Sequence, residues 1–540
     1  MSLFVKKPLG QMLQQAGDSE KGLKRTLTAT NLVALGIGAI IGAGLFVRTA
    51  AASAEAAGPA VTLSFVVAAI GCAFAGLCYA EFAAMIPIAG SAYAYSYVTM
   101  GELVAWIIGW ALIMEYALGA ATVSIAWSEY LNNLFHGAIP YQWCHSPFEA
   151  LYKVTGEGNI HQISIFNAEF VKSAQNGVAL LSEDQFHKLP ATLTNLVTVQ
   201  HGIVNAPALL ILLMLTLLLI KGTQESALVN SIIVFIKVAI VLIFIFVGWK
   251  FINPANHTPY MIPQGTPGHE GFFKHGLGGV LGGAAIVFFA FIGFDAVSTA
   301  AQEAKNPKRD MPIGILGSLI VCTILYILFG HVLTGVANWQ EFKTAGKEAS
   351  VAYAIKTYMT GYSWLATAVT VAILAGFSSV ILVMLMGQSR IFYTMSNDGL
   401  IPKAFGDLHP KFKTPYKANL ILFVFVGLFA AFIPGSVAGD LTSFGTLFAF
   451  VLVSAGVWIL RRKSPEIERP FKTPLVPIVP LLGILICAGM IIALDSQTLK
   501  VAFSWMLIGL VVYFAYSRKH SKLRNQPAAA KSTALSEEVR

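Results

Sequence analysis

Charged side chains are scarce in this sequence. Asp, Glu, Lys and Arg supply 12% of its 540 residues, where soluble domains carry roughly a quarter. With 56% of the chain hydrophobic, too little polar surface remains to face water, and a soluble enzyme is excluded. Cysteine is also sparse. Of the five, Cys72, Cys78, Cys322 and Cys487 sit in apolar stretches and Cys144 in a polar one, so no disulfide framework is implied. There is no clustered His or Cys spacing for a metal and no Gly-Lys-Ser loop for a nucleotide phosphate, which removes ATP drive and metal-assisted hydrolysis. A channel would need a ring of pore-lining charges, and none is visible.

What is abundant is apolar sequence in lengths that fit a bilayer, about 20 residues each. Twelve such stretches are predicted as helices: 28–52, 60–86, 99–132, 203–220, 227–250, 277–303, 312–337, 362–395, 417–433, 438–460, 474–494 and 498–517. The first has no small-residue cleavage site and reads as a retained helix. The long polar interruption at 133–202 has room for a small external cap. The segment 339–358 suits short helices over the mouth, and the tail after Ser521 has a disordered composition.

The net charge of +9 raises the question of nucleic acid, and the placement of the basic residues answers it. With an inside N terminus, 24 of the 36 Lys and Arg fall in inside segments and 10 in outside ones, the positive-inside bias of a membrane protein. The expectation is an inner-membrane protein with both termini cytoplasmic and no nucleic-acid partner. Its layout would be a cytoplasmic segment 1–27, a first unit 28–250, a second unit 277–460, two further helices within 474–517, and a cytoplasmic tail 518–540.

Glycine marks two of the helices at mid-membrane depth. Helix one carries Gly36, Gly38, Gly42 and Gly44; helix six carries Gly276, Gly278, Gly279, Gly282, Gly283 and Gly293. They lie five helices apart, and an odd offset makes the second unit enter from the opposite face. That is the arithmetic of an inverted repeat with matching interrupted helices, which places a substrate site at the interruptions.

Three segments carry a family resemblance: Gly38-Ala39-Ile40-Ile41-Gly42-Ala43-Gly44-Leu45-Phe46; Tyr79-Ala80-Glu81 through Pro87-Ile88-Ala89-Gly90-Ser91-Ala92-Tyr93; and Phe288-Phe289-Ala290-Phe291-Ile292-Gly293-Phe294-Asp295 followed by Glu303-Ala304-Lys305-Asn306-Pro307. Gly109-Trp110, Glu115-Tyr116, Gly387-Gln388-Ser389-Arg390 and Asp398-Gly399-Leu400 add to it. The chain resembles the amino acid-polyamine-organocation superfamily in its cationic amino acid transporter branch. The resemblance implies an all-α polytopic membrane fold with a LeuT-like five-plus-five inverted repeat and two added helices, and amino acid transport by alternating access. The chain departs from that branch in its longer loop between helices three and four, and in stopping at twelve helices where animal members have fourteen.

Unwound backbone in a bilayer is tolerated only where protein or a cavity surrounds it. Amides near Gly42, Ala43 and Gly44 can then donate to a substrate carboxylate at the positive end of a half-helix, and carbonyls of Ala39, Ile40 and Ile41 can accept from its ammonium. The alternative is close helix packing through the Gly38 and Gly42 pair. The resemblance puts Phe289, Ala290 and Phe291 at the site beside Gly293, with Phe291 the first choice for a closing ring; any one of these Phe is as well suited to facing lipid.

Lys237 lies about ten residues inside helix five, near 15 Å from its end, too deep to reach water. Burial disfavours a charged amine, so this lysine can gain and lose a proton, and the resemblance puts it where sodium-coupled members hold a cation. Glu115 and Asp295 are the other deep charges, and the three are expected to pair or to be protonated. Proton coupling is the expectation, with no cofactor beyond the proton gradient. A structural Lys237 and packing roles for the two acids stand as alternatives. Met384 and Met386 suit apolar or small substrates, while Glu115 or Asp295 suits a cationic one. An exchanger, or a light chain tethered through Cys144, are the competing modes; the partners expected are an amino acid and the lipid bilayer.

Overall fold

Hydrocarbon offers a peptide group no partner, so a chain this apolar must satisfy its backbone within helices. The computed structural model describes residues 3–10, 12, 25–42, 44–135, 137–171, 177–181, 183–343, 350–433, 435–492, 494 and 496–525. Among them, eight helices are long and apolar enough to cross a membrane, and four shorter apolar helices accompany them. In chain order the segments are α1a (Ala29–Ile40) with its continuation α1b (44–57), α2 (Val61–Met85), α3 (Glu102–Leu134), α4 (Ala206–Lys221), α5 (Thr223–Gly248) and α6a (Gly276–Phe288) with α6b (Asp295–Glu303). Then come α7 (Pro307–Val336), α8 (Ser363–Asn397), α9 (Tyr416–Phe432), α10 (Gly435–Lys463), α11 (Ile478–Ile492) and α12 (Ser496–Val512). The chain is a helical multi-pass membrane protein.

Local chemistry sets where α1 starts and stops. Thr28 caps its first turn by accepting from the Asn31 amide, while the Asn31 side chain accepts from the Thr28 amide, a reciprocal cap that satisfies two unpaired donors. The helix ends at Ile41, whose backbone is extended (ψ 95°). In the sixth segment a tight turn, Phe289–Phe291, gives way to extended Ile292 (ψ 136°) and to Gly293 at φ +113°. Both predicted helices, 28–52 and 277–303, are therefore interrupted near their middles. The glycines at the start of α6a serve a different purpose. A Cβ on Gly279 would stand 2.3 Å from the Ala56 carbonyl oxygen, and one on Gly283 would stand 2.8 Å from Ala57 Cβ, so α6a packs directly on α1b.

The polar interruption at 133–202 contains a folded cap. Strands β1 (Ala150–Thr155), β2 (Val178–Leu181) and β3 (Val197–His201) form an antiparallel sheet in the order β2–β1–β3. Val154, Ile163, Ala179, Leu181 and Val197 give it a small core separate from the membrane core. Cys144, at its base, is 1% exposed.

Both described chain ends meet on the opposite face. The Glu102 amide donates to the Val5 carbonyl (2.9 Å), and the Lys522 amide to the Asp398 carbonyl (3.0 Å). Arg524 binds the Glu102 carboxylate, so residues Lys522–Asn525, predicted to be disordered, are a docked helical turn; 526–540 lie outside the described residues. Further charge pairs seal this face. Lys7 pairs with Asp398, which also accepts from Tyr93; Arg461 and Arg469 bind Glu81; and Arg390 forks onto Glu303 at 3.2 and 3.0 Å, both side chains 0% exposed.

Removing one partner of a buried pair strands the other charge, at a cost of about 3–5 kcal/mol. Arg390→Ala is accordingly expected to lower the thermal unfolding midpoint of detergent-purified protein by several degrees, and the double change Arg390→Met with Glu303→Leu to restore most of it. Equal melting of single and double variants would show that the pair does not hold this face.

Candidate substrate site at the crossed helix breaks

The two breaks meet backbone to backbone. A Cβ added to Gly44 would lie 2.3 Å from Ala290 Cα, and one added to Gly293 would lie 2.9 Å from Ala39 Cβ and 3.1 Å from the Ala39 carbonyl oxygen. Residues 39 to 44 thus run against residues 293 to 290, the antiparallel crossing required of two half-helix pairs that enter from opposite faces. Only glycine fits these two points, and at φ +113° Gly293 is in a conformation that L side chains rarely adopt.

Breaking α1 frees carbonyls at the end of α1a, and neighbouring helices supply donors for them. Lys237 of α5, 0% exposed, donates from Nζ to the carbonyls of Gly38 (2.9 Å) and Ile41 (2.8 Å). One turn nearer the face with the chain ends, Asn230 Nδ2 donates to the Ala34 carbonyl (3.2 Å), and Ser379 of α8 donates to Asn230 Oδ1 (2.6 Å). From α7, the Tyr326 hydroxyl lies 2.9 Å from the Ile40 carbonyl and 2.8 Å from the Ala290 carbonyl. One phenolic proton is shared by the two broken helices. The carbonyls of Ile40 and Ile41, expected to be reserved for an ammonium, each already accept from a protein side chain and keep one lone pair.

A small cavity of ≈ 30 Å³ lies against the crossing. Ala39, Ile40, Gly42, Gly44, Phe289 and Ile292 contribute the walls from the breaks. The rest comes from Gly119, Thr122 and Val123 of α3, Val380 and Met384 of α8, and Thr442 of α10. Among the described residues, no charged side chain lines it. Gly44 at the start of α1b lines this space, and the first amides of a helix have no partner within the helix. Ala43, predicted to be one of those donors, lies outside the described residues.

The other predicted residues are distributed around the cavity. Phe289 lines it and stacks under the Arg48 guanidinium, 5.2 Å from ring centre. Phe291, the ring favoured beforehand, packs instead on Phe65 (6.3 Å) and Tyr326 (5.2 Å). A tight turn sends consecutive rings to different sides, and Phe291 falls on the α2–α7 side. Ala290 serves through its close approach to Gly44 and its carbonyl. Met384 lines the cavity and Met386 does not, since residues two apart on a helix face opposite ways.

Glu115 and Asp295 lie one turn from the cavity toward the face with the chain ends. Glu115 is four residues before Gly119, and its carboxyl faces Asp295 and Thr446. Tyr116 donates to Asp295 Oδ2 (2.6 Å). Among the described residues, neither Glu115 oxygen nor Asp295 Oδ1 has a hydrogen-bond partner in normal geometry. Two carboxylates are both acceptors; a proton between them makes one a donor. Lys237 donates to carbonyls rather than to either acid, so the expected three-way pairing does not form.

Sequence reading missed Tyr326, Asn230, Gly119, Thr122, Val123, Val380 and Thr442. Two signals were present: Asn230 and Lys237 share a face of an apolar helix at a spacing of seven, and Gly119 follows Glu115 by four.

The match to known proteins agrees with this geometry. Residues 27–515 match the amino acid permease family, and the chain belongs to it. It is 42% identical to the branched-chain amino acid permease of Bacillus subtilis over 522 residues, 97% of this chain and 99% of that one. It is 38% identical to the methylthioribose transporter of the same bacterium over 523 residues, with the same coverage. A vacuolar cationic amino acid transporter of Arabidopsis thaliana is 30% identical over 465 residues, 86% of this chain and 68% of that one. The chain is a secondary amino acid transporter embedded in a membrane, and these relatives are named as permeases and transporters, not enzymes.

Tyr326→Phe keeps the ring and removes the shared proton. Uptake is expected to fall about tenfold, the scale of one buried hydrogen bond lost, with an unchanged elution profile on size exclusion. Undiminished uptake would remove Tyr326 from the transport machinery.

Proposed function

We propose that this permease carries neutral amino acids with aliphatic side chains, in symport with protons, across the cell membrane into the cytoplasm. The observation that carries the substrate class is the cavity wall: Val123, Ile292, Val380 and Met384 face the site, with Thr122 and Thr442 the polar side chains and, among the described residues, no acid in the lining to match a cationic substrate. The Bacillus relative named for branched-chain amino acids supports it. The substrate carboxylate would meet the amides at Gly42 to Gly44, and its ammonium the free lone pairs at Ile40 and Ile41 and the carbonyls of the Phe289 turn.

For coupling, the Lys237 ammonium occupies the gap between α1a, α5 and α8 that a metal cation would otherwise need. Loss of its proton weakens its hold on the Gly38 and Ile41 carbonyls and frees α1a to move. Glu115 and Asp295 give a second place where a proton can reside, on the inner side of the cavity. The 24-to-10 distribution of basic residues and the meeting of both chain ends on one face support cytoplasmic termini.

The test is uptake into proteoliposomes without internal amino acid, using leucine, alanine, arginine and methylthioribose under an imposed proton or sodium gradient. Leucine is expected to accumulate with an inside-alkaline gradient, arginine not to, and Lys237→Ala to abolish the pH dependence. Uptake that needs internal substrate would make the protein an exchanger; sodium dependence alone, or full pH-dependent uptake by Lys237→Ala, would overturn the coupling.

Gly119→Val tests the pocket itself. Even its first added carbon would lie 2.9 Å from Met384 Sδ and 3.1 Å from Thr442 Cγ2. We expect a rise in KM for leucine of about tenfold, the lower end of the range for a methylene-scale change in an apolar pocket, with a smaller effect on alanine. Equal effects on both would place the substrate side chain elsewhere.

A further inference from the structure

On the face that carries the chain ends, α3 and α12 are joined by two indoles. Trp106 Nε1 donates to the Gly509 carbonyl (2.7 Å) and Trp110 Nε1 to the Trp505 carbonyl (2.8 Å). A Cβ on Gly509 would strike the Trp110 ring at 2.4 Å, so the glycine lets the helices close. With their N–H groups turned into α12, the indoles offer only carbon faces to the space beside them.

That space is a cleft of ≈ 280 Å³ whose wall includes Trp106, Trp110, Phe392, Phe405, Val512 and Tyr516. It is separate from the substrate cavity and shares no lining residue with it. The cleft adjoins the lipid-facing side of α12, where Leu507, Ile508 and Val511 are 63%, 52% and 62% exposed. Its end-face rim is basic: Lys403 stands in the turn that carries Phe405, and Arg518 and Lys519 follow Tyr516, all three exposed.

We propose that this cleft binds an acyl chain of an anionic membrane phospholipid, with the lipid phosphate at Lys403, Arg518 and Lys519. Continuity with the bilayer-facing surface supplies the ligand, the all-carbon wall suits a hydrocarbon tail, and the rim complements a negative headgroup.

Native mass spectrometry of protein purified from vesicles of phosphatidylglycerol or phosphatidylcholine tests this. Wild type is expected to retain phosphatidylglycerol in preference. Lys403→Gln with Arg518→Gln should reduce that preference about 5-fold per charge removed, and Val512→Trp should displace both lipids. The charge variant lies at exposed positions, so it carries the test even where the filled cleft fails to fold. Equal retention of both lipids by wild type, unchanged preference in the charge variant, or a membrane-spanning protein held in place of lipid would each overturn the proposal.

Discussion

A peptide group without a partner costs several kcal/mol in hydrocarbon, and this transporter leaves two helices broken at the depth where that cost is greatest. Its central features follow from how the freed groups are satisfied. Lys237 takes the Gly38 and Ile41 carbonyls, and Tyr326 takes those of Ile40 and Ala290. These donors come from α5 and α7, so the breaks are held by helices that belong to neither broken segment. On the proposed function, what they do not take, the amides at the start of α1b and the second lone pairs of the carbonyls, would be left for a ligand with opposite charges at its two ends. On that reading the need to pair backbone groups and the ability to recognise an amino acid have one origin.

The two faces are closed by different physics. Toward the chain ends the route is blocked by Glu115 and Asp295, then by Arg390 on Glu303, with Lys7 on Asp398 and the arginines on Glu81 beyond. These contacts are buried and directional, and each is costly to break singly. On the other side the Phe289 ring stands at the cavity with the exposed Arg48 over it.

Much of this was legible in the sequence. Twelve apolar stretches, the charge bias, the two glycine-rich helices and the depth of Lys237 follow from composition and spacing, and the family motifs pointed to the fold. The facing of individual side chains was not legible. Phe289, Ala290 and Phe291 are consecutive, and only the tight turn decides which ring meets the cavity. Tyr326 looked like any buried tyrosine of an apolar helix, because its partners are carbonyls 286 and 36 residues away. The cap was hidden for another reason: its strands are four to six residues long, too short for alternation to stand out among polar residues.

The antiparallel crossing at Gly44–Ala290 and Gly293–Ala39 gives the molecule a fulcrum. With no side chains between the two backbones there, neither segment can slide without pushing the other, so the free motion left is rotation about that point. The arm α6a has 13 residues and extends about 20 Å at 1.5 Å per residue. A tilt of about 15°, the size of known subunit rotations, carries its far end about 5 Å while the groups at the pivot stay within reach of the same ligand atoms. A wide gate and a nearly stationary binding site are then two ends of the same lever.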